Sequence, residues 1–474
     1  MATREDRNGC ALQGALELLE AVEGAVPILH ASAGCGVGGR LAAQAAAGGL
    51  GGLSPGGAAV SSTLLQEKQV VFGGTSRLRE QIKNTLKVEA GELYVVLSGC
   101  VPEIVGDDVP AMVKEAREQQ FPVLGIAAPG FKGHAWAGYS LAARALLEQL
   151  PGLLSPAAAD PAHSPDVNLL GLVPGHDVGW DGDLLELEAA LGELGLRANR
   201  LVGLDQGLDA WRAAPRARAS LVLSPWGLEP ARALEAAHGV PVVELGWLPV
   251  GSRDLGLALA RVGAELRLPP EQVVAAAERL DGRLRQLLLR AGPSLLLGGV
   301  QLRGAVVAPS AAAVGLARFL AGILGQELEA VILTDEPPEA VRAAQVEAVR
   351  QAAGPATRVE FLAGLAQIEA ALRAAAPELV LGSGLEAPLA RELGAAFVEL
   401  AAPLRERTVL LRGHAGVGGA AALLEQLLPA VRRARRAPGP QALRPAAGGV
   451  DPRPHGRGAR AVTPLRSPAQ LHRR

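Results

Sequence analysis

The chain has 474 residues, 49% of them hydrophobic, with a formal net charge of −2. That length exceeds one ordinary core and implies roughly two to four domains. The near-neutral balance excludes a chain-wide field for nucleic acid or an acidic membrane, so any binding surface is local. Met1 to Asn8 carries charges and leads into no leucine-rich signal-type run, which reads as cytoplasmic. Helical periodicity predicts helices over 11–23, 75–88 and 109–119, set among strands at Ala25–His30, Leu93–Leu97 and Pro122–Ile126. Residues 41–65 are uncharged, but they are Gly/Ala-rich with Ser54-Pro55-Gly56-Gly57 inside, a loop more than a membrane helix.

A Pro/Ser-rich break over 151–165 separates this unit from a second one. That unit takes strands at Val167–Val173, Ser220–Leu223 and Pro241–Leu245, and helices at 183–195, 229–237, 251–264 and 270–291. The apolar region 286–324 is interrupted by Arg290, Arg303 and Arg318, each costly at a bilayer centre, so no membrane span is expected. A third unit has strands at Gly304–Ala308, Leu328–Leu333, 357–362 and Leu379–Gly382. Its helices fall at 311–325, 337–352, 365–375, 386–393 and 417–435. The expected fold class is α/β, with three doubly wound, Rossmann-like or flavodoxin-like parallel-sheet modules over 1–150, 166–291 and 292–437. Residues 438–474 form an Arg/Pro-rich tail; from 432 onward eleven arginines face the single acid Asp451, a composition that cannot bury a core. Solvated disorder is the first reading of that tail and contact with a partner subunit the second.

Three cysteines, Cys10, Cys35 and Cys100, carry the chemistry. In open α/β sheets ligands collect beyond the carboxyl ends of strands. Cys35 and Cys100 each follow such a strand within a few residues, and Cys10 opens the first helix, where free backbone N–H groups and the helix dipole favour a thiolate. Three thiols leave one over after disulfide pairing, and a closed tetrahedral metal site normally takes four protein ligands. A group shared with a partner chain absorbs the odd number; three unrelated buried cysteines are the competing reading.

The flanking residues decide between them. Gly99-Cys100-Val-Pro-Glu-Ile-Val-Gly106-Asp107-Asp108 resembles the cysteine-to-Gly-Asp-Asp segment of the nitrogenase component 1 superfamily. Asn8-Gly-Cys10-Ala-Leu-Gln-Gly14-Ala15 resembles the family's first cluster cysteine with its Gly-Ala, and Pro27-Ile-Leu-His30-Ala-Ser-Ala-Gly34-Cys35 its second. Glu67-Lys68-Gln-Val-Val-Phe72-Gly73-Gly74 and Gly130-Phe131-Lys132-Gly133 resemble the two further family stretches, in the family's order, so the likeness covers about residues 8–135. Arg412-Gly-His414-Ala-Gly416 agrees more loosely.

The resemblance implies that Cys10, Cys35 and Cys100 are metal ligands to an iron–sulfur cluster, an 8Fe–7S P-cluster or a 4Fe–4S centre, shared with a homologous D-type (alpha) subunit in an α2β2 heterotetramer. An ATP-dependent iron protein would feed electrons through it to a cofactor in the D-type subunit. The family's cofactor-ligating cysteine has no counterpart after Cys100, so the chain is expected to be the K-type (beta) partner, with no catalytic residue of its own. His414 is expected to be a packed or surface histidine rather than a cofactor ligand. His30 is expected either to bond a cluster sulfide or to be satisfied in the core. His134 stands where some beta subunits place a serine near the P-cluster. Asp107 and Asp108 are expected to shape the turn and cap the helix at 109, and Trp136 and Tyr139 to line an interface or pack.

Only nine residues precede Cys10, where dinitrogen-reducing beta subunits carry a substantial segment, and the family's Ser-Gln before the second cysteine is missing. By exclusion the specific expectation is the beta-type subunit of a methylthio-alkane reductase, which cleaves C–S bonds reductively. A dinitrogen-reducing beta subunit and a cofactor-assembly scaffold without turnover are the alternatives.

Overall fold

The computed structural model describes residues 7–35, 60–154, 164–299 and 301–436. Most of the uncharged 41–65 stretch, the centre of the 151–165 break and the 438–474 tail lie outside these residues. Three sheets form, every strand pair in them parallel. The first runs β2-β1-β3-β4, from β1 (Ala25–His30), β2 (Ser61–Ser62), β3 (Leu93–Ser98) and β4 (Val123–Ala127). Its helices are α1 (Ala11–Glu20), α2 (Glu67–Phe72), α3 (Thr75–Val88), α4 (Cys100–Val105), α5 (Val109–Glu118) and α6 (Ala135–Leu153).

The second sheet repeats that order as β6-β5-β7-β8, from β5 (Val167–Leu170), β6 (Ala198–Arg200), β7 (Ala219–Val222) and β8 (Val242–Glu244). It carries α7 (Trp180–Gly192), α8 (Leu208–Ala213), α9 (Leu228–His238), α10 (Gly251–Glu265) and α11 (Pro270–Gly298). The third runs β11-β10-β9-β12-β13, from β9 (Gly304–Ala308), β10 (Leu328–Leu333), β11 (Arg358–Phe361), β12 (Leu379–Ser383) and β13 (Ala396–Ala401). Helices α12 (Ser310–Gly322), α13 (Glu339–Ala353), α14 (Leu365–Ala375), α15 (Ala387–Glu392) and α16 (Gly416–Arg436) complete it. The α/β fold class read from the alternating pattern is the fold observed.

Strand burial explains the composition of the runs. β3 and β9 are buried at every residue, as parallel strands covered on both faces must be, and accordingly read as near-continuous apolar segments rather than alternating ones. One apolar cluster joins all three sheets, from Leu12 and Leu97 through Leu221 to Val306 and Leu423. Polar contacts fasten the first unit to the others inside it. Arg7 and Glu386 pair at 2.5 Å, Asn8 Nδ2 donates to the Thr334 carbonyl at 2.8 Å, and Gly171 N donates to the Tyr139 hydroxyl at 3.0 Å. Trp136 and Tyr139 are therefore packing residues, each almost fully buried.

Helices α1 and α6 cross with backbone against backbone. A Cβ at Gly14 would lie 1.8 Å from the Ala135 carbonyl oxygen, and one at Gly138 would lie 1.9 Å from that of Ala11. This crossing gives the Gly14-Ala15 pair a physical reason, because only glycine admits so close an approach. It also fixes the entrance of α1, where Cys10 sits, against the loop that follows β4: Ala11 N donates to the Gly133 carbonyl and Ala135 N to that of Asn8. No helix among the described residues is long and apolar enough to cross a membrane.

Candidate metal centre

The order of the first sheet reverses between β1 and β3, whose neighbours lie on opposite sides. Ligands in open parallel sheets gather in the crevice at such a switch point. The segment after β1 leads to Cys35, and the segment after β3 leads at once to Cys100. Cys10 is the N-cap residue of α1, in extended conformation, and Cys100 is the first residue of α4 after the N-cap Gly99. Cys35 closes a short helical turn, its N–H donating to the Ser32 carbonyl at 3.1 Å. None of the three is in a disulfide.

Gly130 joins two of them. Its N–H donates to the Cys100 Sγ at 3.0 Å, and a Cβ built on it would lie 3.3 Å from that sulfur, 3.3 Å from the Cys10 Cβ and 4.0 Å from the Cys10 Sγ. Gly130 is therefore packed directly against both Cys10 and Cys100. Cys35 is more exposed, and its thiol is pushed above the ordinary value by partial burial first and then by the negative charges that Cys10 and Cys100 would carry nearby. A backbone hydrogen bond from Ser32 to the sulfur opposes this shift.

Among the described residues no three His, Cys, Asp or Glu side chains gather closely enough for a single metal ion. The thiols form an open set of soft donors, of the kind that suits iron–sulfur or other thiophilic metal chemistry, and other ligands would have to complete it.

The rim of this face is apolar. Val71, Phe72, Ile104 and Phe131 are 71%, 81%, 73% and 63% exposed, and Leu64 and Val70 add to them. Leu64 precedes α2, and the others come from α2, α4 and the turn at Gly130–Lys132. Several large apolar side chains exposed on neighbouring segments mark an interaction surface more often than a solvated one.

The remaining residues singled out from the sequence fall into structural roles. His30 is fully buried, with Nε2 at 3.0 Å from Asp107 Oδ2 and Nδ1 at 3.1 Å from the Thr63 hydroxyl, so both ring nitrogens are occupied. Burial pulls its pKa down, against the opposing pull of Asp107. Of the two expectations for His30, the core-satisfied one holds. Asp108 caps α5, its carboxylate accepting from Ala111 N at 3.0 Å, and Asp107 holds the turn before it, as expected.

His134 occupies the N-cap position of α6 without a side-chain cap bond and sits edge-on to Trp136 and Trp226, at 5.7 and 5.1 Å between ring centres. His414 is buried, and desolvation followed by the Arg407 charge depresses it to about 4. Its backbone N–H and that of Ala415 donate to Asp183 Oδ1 at 2.5 and 2.6 Å, so the Gly-His-Ala-Gly segment is a packed turn before α16. Sequence reading missed Gly130 as the donor to a cysteine sulfur and the exposed rim. The Gly-Phe-x-Gly stretch held the signal for both, as an apolar residue beside a glycine.

Residues 10–432 match the family model described as nitrogenase component 1 type oxidoreductase. The nitrogenase iron-molybdenum cofactor biosynthesis protein NifE of Bradyrhizobium diazoefficiens is 31% identical over 252 residues, 49% of this chain and 44% of that protein. NifE of Rhodobacter capsulatus is 28% identical over 257 residues, 54% of this chain and 51% of that protein. The chain thus spans about half the length of the curated relatives it matches. Among solved structures, nitrogenase Cp1 at pH 6.5 superposes with a TM-score of 0.74 at 18% identity, covering 91% of this chain and 94% of the other, a likeness of fold. With its three parallel sheets and a family match that runs almost from end to end, the chain belongs to the nitrogenase component 1 type oxidoreductases.

Proposed function

We propose that Cys10, Cys35 and Cys100 supply half of the ligand set of an iron–sulfur cluster, completed by a homologous subunit docked on the apolar face around them. One observation carries this reading: Cys10 and Cys100 converge on Gly130, near the exposed apolar side chains of Val71, Phe72, Ile104 and Phe131. The donor chemistry fits the group, because thiolates are the usual ligands of iron–sulfur centres and an exposed, incomplete set requires partners from outside the chain. When bound, the cluster would supply electron storage. The chain's own residues hold the sulfurs at the helix entrances, orient Cys100 through the Gly130 N–H, and keep water from the face once the apolar rim is covered.

The relatives' names favour the assembly reading over turnover of a substrate. NifE proteins are described as cofactor biosynthesis proteins, and nothing in the site or among the relatives bears on C–S cleavage. The chain is accordingly a scaffold-type subunit that holds a cluster at an interface and passes it, or electrons, to chemistry in the partner. The test is anaerobic purification of the complex with metal analysis, followed by incubation with its ATP-dependent iron protein. A scaffold contains iron and sulfide and releases a cluster to an acceptor without reducing substrate. Sustained reduction of dinitrogen or of a methylthio-alkane would replace this reading with an electron-relay role in a reductase. About four irons per pair of subunits would indicate a 4Fe–4S centre rather than a complete P-cluster.

A further inference from the structure

The two ends of α4, the six-residue helix that begins with Cys100, are tied to a single residue. At its start the Gly99 N–H donates to the His30 carbonyl at 2.9 Å. Just past its end Asp107 Oδ2 meets the His30 ring at 3.0 Å, and Asp107 N donates back to the Pro102 carbonyl at 3.0 Å. The same carboxylate reaches the other way. Its Oδ1 accepts from Gly74 N at 2.6 Å and from the Thr75 hydroxyl at 3.4 Å, where α2 ends and α3 begins. Gly74 lies against the pair so tightly that a Cβ there would fall 2.6 Å from Asp107 Oδ2 and 3.1 Å from His30 Cε1. The pair itself is sealed, its side chains 0% and 3% exposed, and Thr63 holds the far side of the ring.

We infer that the buried His30–Asp107 pair is a positioning device that locks the Cys100 helix and the exposed apolar helix α2 into one rigid unit on the thiol face. Three stretches matched separately in the sequence, His30, Phe72-Gly73-Gly74 and Gly106-Asp107-Asp108, are thereby parts of one hydrogen-bonded clamp. Neither residue reaches a thiol, so each acts through the segments it holds. Cys10, on α1, lies outside the clamp and serves as an internal control. The inference gives the proposed ligand set its source of rigidity and rests on that reading for its purpose, yet the clamp is testable on the protein without metal.

The experiment is alkylation of the full-length, metal-free chain by iodoacetamide under anaerobic conditions, with the rate at each cysteine read by mass spectrometry. In Asp107→Ala the Cys100 rate rises roughly tenfold, the change expected when a buried carboxylate's hydrogen bonds no longer oppose local opening. The Cys10 rate stays within about twofold. Asp107→Asn restores the parent rate, because its amide accepts from Gly74 N and donates to His30 Nε2 after a tautomer change in the ring. An unchanged Cys100 rate in Asp107→Ala overturns the inference. So does an equal rise at Cys10, which would mean general loosening, or failure of Asp107→Asn to rescue, which would make charge rather than position the operative property. Failure of the cluster reading would show instead as a parent complex without iron, whatever the alkylation rates.

Discussion

Gly130→Ala separates the centre from the fold. The backbone at Gly130 is not in the left-handed region, so alanine is conformationally acceptable there. The added methyl would lie 3.3 Å from both the Cys10 Cβ and the Cys100 Sγ, closer than either neighbour tolerates without moving. Overpacking of this kind costs about 1–3 kcal/mol, and the loss of glycine's unfolded-state freedom returns about 0.4–1 kcal/mol. The net loss is at most about 2.6 kcal/mol, a fall in melting temperature of several degrees. The cluster is affected far more, because the methyl pushes on two of its proposed ligands. Calorimetry of the metal-free chain is expected to show a small shift, while iron in the anaerobically purified complex falls below about half of the parent value, as for a ligand set displaced by tenths of an ångström. Full iron with an unchanged electron paramagnetic resonance spectrum would refute the placement of a cluster at Gly130. A chain that no longer folds would show that the glycine serves packing alone.

Three further outcomes follow from the same geometry. Gly138→Ala puts a methyl 1.9 Å from the Ala11 carbonyl oxygen and forces α1 and α6 apart, so urea unfolding should show a loss of about 3 kcal/mol or more, well beyond that of Gly130→Ala. Asp254→Ala removes the carboxylate that accepts from Arg318 Nε at 2.6 Å, from Arg318 Nη2 at 2.9 Å and from the Trp247 ring N–H at 2.9 Å, stranding a buried guanidinium. The expected cost is about 3–5 kcal/mol, while replacing both partners by apolar residues costs less. His414 is neutral in the fold because burial lowers its pKa to about 4 from 6.5, so the unfolded chain takes up the proton first as pH falls. Stability attributable to this group is present above pH 6.5 and is lost as pH falls toward 4, by up to about 3 kcal/mol. His414→Leu cancels that loss, and the stability gap between parent and variant should narrow by that amount between pH 7 and pH 4. Asp177 and Asp183, both raised to about 7 by burial, titrate in the opposite sense but are common to the two proteins.

The regular strands were legible because each is a short β-branched run in a sheet covered on both faces. The expected strands at Ala25–His30, Gly304–Ala308 and Leu328–Leu333 match β1, β9 and β10 residue for residue. Helix 75–88 was equally clear from its amphipathic period and agrees with α3. Helix α6 escaped notice because it is buried on most of its surface and begins Ala-Trp-Ala-Gly-Tyr, which shows no polar stripe. Helix α4 was hidden by its six-residue length and by Pro102, which the first turn of a helix tolerates. Strands β6 and β13 were missed as well: β6 is three residues long, and Ala396–Ala401 has a weak β-branched signature.

At the centre, the positions of Cys35 and Cys100 beyond strand ends followed from chain order. Their relation to Gly130 did not, because it depends on how the β4 loop folds back over two helix entrances. Asp107 could be assigned to a turn from Gly-Asp-Asp alone. Its hydrogen bonds to Gly74 and His30, which lie 33 and 77 residues away, are a property of the three-dimensional structure.

The most direct test of the shared-cluster account is iron counting with electron paramagnetic resonance on the anaerobically purified complex, parent beside Cys35→Ala. Cys35 lies exposed on a turn, so its substitution should leave the fold intact. The account predicts that the parent carries iron and sulfide with an iron–sulfur signal in the reduced or oxidised state, and that Cys35→Ala loses most of both. Unchanged iron, colour, spectrum and oligomeric state in Cys35→Ala would contradict it.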